Sequence, residues 1–81
     1  MTPIPPRVKT ALSSELHFLV KSIERAKPED LFPLVCRVGT LINVTNDLMR
    51  DRYRGLDELA LELRQTREKI WSLIKKQEVK P

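Results

Sequence analysis

Residues 47–77 read DLMRDRYRGLDELALELRQTREKIWSLIKKQ, and where this stretch bends decides the fold. Gly55 follows Arg50, Arg52 and Arg54. Cations in a last turn and then glycine make a helix-stop signal. Yet the apolar register does not reset at Gly55: Val35, Ile42, Met49, Leu56, Leu63 and Ile70 lie seven apart without a break. Leu31, Val38, Leu59 and Leu73 fill companion positions, with Thr45, Arg52 and Thr66 as polar gaps. That is coiled-coil spacing, and one interior glycine costs a helix only about 1 kcal/mol. Two architectures follow: a turn at Gly55 with the chain folding back, or one long rod through it. The three arginines and the shortness of the chain favour the turn.

Working outward, the preceding segments read as helices. Pro3, Pro5 and Pro6 rule out helix before Pro6, so residues 1–6 form a proline-rich extended arm. Val8, Leu12, Leu16, Leu19 and Ile23 recur at spacings of three and four, a helical face ended by Pro28. Leu31, Leu34, Val35, Val38, Leu41, Ile42, Leu48 and Met49 give the next helix a wide apolar face and make it the central one. Gly39 lies on its flank, and a close helix crossing explains it. The expected fold is all-α, a single domain over 1–81. It is a three-helix hairpin or bundle with helices at about 6–26, 29–54 and 56–78, the last two merged in the rod variant.

The segment LDELALELRQTREKIWSLIKK, about 20 residues, resembles the helix-turn-helix of bacterial sigma factors and many repressors. The resemblance implies that Leu59 and Leu63 pack a first helix, Ala60 sits at the crossing, Thr66 caps a recognition helix, and Ile70 and Leu73 hold it. Gln65, Arg67, Glu68, Lys69 and Ser72 would then face a major groove, with Lys75 and Lys76 on phosphates. Two residues depart from the pattern where the bend must occur. Arg64 stands where glycine is common, and Gln65 where an apolar residue is usual. Every residue from Leu56 to Lys76 tolerates helix, so a straight amphipathic helix is the stronger expectation.

Eighty-one residues bury a marginal core, which disulfides, metals or oligomerisation commonly supplement. One cysteine, Cys36, excludes an internal disulfide, and one histidine, His17, excludes a His/Cys metal cage. The net charge of +4 suits a polyanion but is also common in small soluble proteins. With no apolar run of membrane-spanning or signal-peptide type, the chain reads as intracellular and cytoplasmic.

No catalytic pattern emerges. Asp47 and Asp51 each have an arginine three residues on, so ion pairs account for them. Two glycines cannot build the usual phosphate-binding loops. Arg50 and Arg54, flanking Tyr53, could contact phosphates; dipole compensation at a helix end accounts for them more simply. Phe18, Leu61 and Trp71 lie off or at the edge of the apolar stripes, and several such residues on so small a chain suggest a partner surface.

The sequence therefore predicts a non-enzymatic helical interaction module without catalytic residues, cofactor, metal, membrane span or small-molecule substrate. It self-associates, as a dimer first of all, or docks as an accessory subunit on a larger protein. Phe18, Ile42, Met49, Leu61, Leu63, Ile70 and Trp71 are the interface candidates. The alternative is a small DNA-binding regulator, and behind it a general phosphate binder, using Arg50, Arg54, Gln65, Arg67, Lys69, Ser72, Lys75 and Lys76.

Overall fold

The computed structural model describes residues 2–78. Three helices, α1 (Pro6–Glu24), α2 (Leu31–Arg50) and α3 (Asp57–Glu78), form an elongated bundle of 52 × 19 × 16 Å. Two-residue strands β1 (Thr2–Pro3) and β2 (Tyr53–Arg54) pair in parallel. The all-α expectation holds, and α2 and α3 are separate helices.

Helix α1 opens with Pro6 in its first turn, where a missing N–H costs nothing. The Pro5 carbonyl accepts from the Val8 and Lys9 amides. At the other end Lys27 takes the extended conformation that a following proline imposes. Pro28–Asp30 then make one 3-10 turn. It is closed by the Asp30 amide donating to the Lys27 carbonyl and the Lys27 amide donating to Asp30 Oδ2. Helix α2 thus begins at Leu31 rather than 29, with Pro33 inside its first turn.

The turn between α2 and α3 differs most from expectation. Helix α2 stops at Arg50, not near 54. The left-handed residue that ends it is Arg52, φ 71°, a conformation uncommon outside glycine. Gly55, φ 98°, serves instead to turn the chain into α3. The proline arm supplies the reason. The Thr2 amide donates to the Arg52 carbonyl at 3.2 Å and the Ile4 amide to the Arg54 carbonyl at 3.0 Å. Ile4 is buried, and a side chain added at Gly55 would stand 3.4 Å from its Cγ2. The arm is extended, as expected, but it is clasped to the loop and closes that end of the core.

That core is wholly aliphatic among the described residues. Leu12, Leu16, Leu19 and Ile23 of α1 meet Leu31, Leu34, Val35, Val38 and Ile42 of α2, and Leu59, Leu63 and Ile70 of α3. Leu56, at the entry to α3, is fully buried with them. The seven-residue repeat is consumed here: Val35 and Ile42 of one helix and Leu63 and Ile70 of the next are core residues of the same chain, with Met49 partly buried against them. Thr45, one of the polar gaps, is completely buried and its hydroxyl has no hydrogen-bond partner.

Candidate protein-docking face

Helix α3 runs unbroken through Arg64 and Gln65, so the bend required by a helix-turn-helix is missing. Thr66 caps nothing; its hydroxyl donates to the Glu62 carbonyl one turn back, at 2.8 Å. The nucleic-acid candidates do not converge. Arg50 and Arg54 lie at the α2–α3 loop, while Lys75 and Lys76 lie at the far end of a helix about 33 Å long. Gln65, Lys69, Ser72 and Lys76 share an outward stripe by their spacing, but Arg67 is half-buried on another side. Helix α3 has Asp57 and Glu58 in its first turn and Lys75 and Lys76 in its last, the distribution that its own dipole favours. Arg50 pairs weakly with Asp47 at 3.7 Å, both well exposed.

The interface candidates divide. Ile42, Leu63 and Ile70 are buried in the core, with little surface left for a partner, and Met49 is partly buried against it. Phe18 (56% exposed), Leu61 (56%) and Trp71 (42%) are at the surface. Leu61 lies on α3, away by helical spacing from its buried Leu63 and Ile70. Phe18 and Trp71 instead flank the first half of α2, where a third aromatic, Phe32, is 61% exposed. The Phe32 and Trp71 rings meet edge to face, with centroids 6.5 Å apart. On the other flank Arg37 stands 5.9 Å from the centre of the Phe18 ring and pairs with Glu15 at 3.2 Å. Three of the four aromatic residues of the chain are therefore outside, while its core has none.

Phe32 was hidden from periodicity because it sits a quarter-turn off the core stripe. A different signal marks its surroundings. From Leu31 to Asn46 the only charged residue is Arg37, in a chain that is 32% charged. Phe32, Cys36, Gly39 and Asn43 follow at spacings of four, three and four, so they share the flank of α2 turned toward α3 and Trp71. Phe32, Cys36 and Asn43 are exposed. Gly39 does not mark a crossing of helices within the chain, since a side chain added there would meet nothing within 4 Å. An interior glycine lowers helix stability, and no contact in the chain requires this one.

The concave surface offers little to a small ligand. A depression of about 480 Å³ runs along α3 past Trp71, lined by Arg67, Glu68, Ser72 and Lys75, but it is open to solvent. Among the described residues no three of His, Cys, Asp and Glu converge to hold a metal, and no helix is long and apolar enough to cross a membrane. No family model, curated protein or solved structure matches the chain.

Proposed function

We propose that this protein is a non-enzymatic interaction module that docks onto a protein partner through the flank of α2 bearing Phe32, Cys36 and Asn43, with Trp71 of α3 beside it. The carrying observation is the inversion of aromatic placement: an aliphatic core, and two exposed aromatics, Phe32 and Trp71, in contact at a flank of α2 that bears no charged residue between Phe32 and Asn43. Large aromatics normally contribute core burial. Outside, they are the side chains that most often anchor protein interfaces, whose centres are depleted of charge. The α2 flank has that composition, and Arg67, Glu68 and Lys75 stand beside Trp71 at its edge.

The experiment compares two surface substitutions. Immobilised chain is challenged with native extract, with Phe32→Lys and Leu61→Lys as matched variants. Both sites are exposed, so both variants keep the helical circular-dichroism spectrum. A protein retained by the wild type and by Leu61→Lys but released by Phe32→Lys supports this face. Identical retention by both variants rejects it.

A further inference from the structure

We infer that residues 2–5 are a releasable strap. They lift off the α2–α3 loop as a unit while the three helices stay packed, and on release α2 lengthens from Arg50 toward Arg54. The strap lies at the opposite end of α2 from Phe32 and is independent of the docking reading.

Its prolines hold the strap in one register. Pro3 and Pro5 have no N–H, so Thr2 and Ile4 carry the only amide donors of the segment. Both are used, Thr2 on the Arg52 carbonyl at 3.2 Å and Ile4 on the Arg54 carbonyl at 3.0 Å. A slip by one residue would set prolines in place of donors. Ile4 adds the one buried side chain of the segment and lies against Gly55.

These contacts are separable from the bundle. Strands of two residues each make a minimal pairing, and an isolated two-stranded pairing is marginal in water. Helix α1 does not need it. The helix begins at Pro6, and the Pro5 carbonyl accepts from Val8 and Lys9 without involving the loop. Thr2, Pro3 and Pro5 are exposed. Segments with so little buried apolar surface open locally, before the whole fold does.

The loop favours release. Arg52 is held at φ 71°, a conformation that costs a residue with a Cβ. Asp51–Arg54 contain neither glycine nor proline, and Arg50, Arg52 and Arg54 are cations of the kind a helix C-terminus favours. The local preference of residues 51–54 is therefore to continue α2. The strap overrides it by holding the Arg52 and Arg54 carbonyls against its own amides. Once the strap is off, Arg52 returns to the right-handed region and Gly55 becomes the helix stop. Closure of the strap and the left-handed Arg52 thus favour one another.

Native-state hydrogen exchange on the full chain is the test. The Ile4 amide should exchange more than about tenfold faster than the amides of Leu19 and Val38, which sit in helices with fully buried side chains. Arg52→Gly removes the backbone cost of the closed state and should slow exchange at Ile4 by roughly fivefold. Ile4→Ala should speed exchange at position 4, keep the helical circular-dichroism spectrum, and move the α-carbon shifts of Asp51, Arg52 and Tyr53 toward helical values. Exchange of Ile4 in step with Leu19 and Val38 overturns the inference, because the strap then opens only with the whole fold. Unchanged Ile4 exchange in Arg52→Gly also overturns it. So do loop shifts that stay fixed in Ile4→Ala while exchange at position 4 rises.

Discussion

Helix α2 has two unlike faces. Its inward face, from Leu31 through Leu34, Val35, Val38 and Ile42 to Thr45, is buried against α1 and α3. Its flank toward Trp71 carries Phe32, Cys36, Gly39 and Asn43, and there the Phe32 and Trp71 rings meet edge to face. Both lack charge, and hydrophobicity alone does not distinguish them. The difference lies in what the rest of the chain covers. Inward residues are aliphatic and interlock; outward ones include a large aromatic, a thiol and a glycine with no neighbour at its missing side chain. A stability contribution is therefore expected from one face and little from the other, and substitutions separate the two.

The largest effect should come from Ile42→Asp. It puts an unpaired carboxylate into the aliphatic core, a loss of about 4 kcal/mol or more. A chain this small should then show no cooperative unfolding transition in denaturant, and a retained transition would mean that the bundle core is looser than its burial indicates. Thr45→Val works in the other direction on the same face. Valine keeps the shape and removes a buried hydroxyl without a partner, so urea denaturation should show a gain of about 1 kcal/mol. A loss instead would reveal a hydrogen bond formed by Thr45 in solution.

On the outward flank, Gly39→Ala should raise stability by roughly 0.5–1 kcal/mol in dilute solution, because the added methyl meets nothing and the helix gains propensity. A loss of stability instead would mean that a neighbour closes on Gly39 in solution. The smallest effect is expected for Phe32→Lys. Its stability should stay within about 0.5 kcal/mol of wild type at low concentration, as for other surface changes. A large thermal destabilisation there would make Phe32 part of the fold and erase the contrast between the faces.

The two helix connections show how much was legible beforehand. The α1–α2 connection was readable because Pro28 acts locally: it forces Lys27 extended and bars helix there whatever packs nearby, although α1 already stops at Glu24 rather than 26. The α2–α3 connection was readable only in part. A break near Gly55 was visible, but the helix end at Arg50 and the left-handed Arg52 were not. They depend on pairing of Tyr53–Arg54 with Thr2–Pro3, some fifty residues earlier in the chain. The seven-residue repeat misled for a related reason. Two helices of a hairpin each present a stripe to the other, and the connection from Asp51 to Leu56 happens to carry the count across the turn. A register that suggested coiled-coil pairing is satisfied within one chain.

The candidate face shows the same division. Phe18 and Trp71 were visible as aromatics off the core stripes, and Leu61, marked by the same argument, is likewise exposed. Phe32 needed Trp71 brought beside it to become noticeable.

By itself the sequence determined that the protein is three helices, which residues of each seek burial, and that the proline arm is extended. Proline geometry and helical periodicity are local, acting over a few residues. Only the tertiary structure decided that Ile42, Leu63 and Ile70 bury one another, that the arm clasps the second turn, and that the Phe32 flank is left uncovered. Periodicity records which side chains gain from leaving water. Which surface covers them depends on contacts between distant parts of the chain, and those form only when the helices pack.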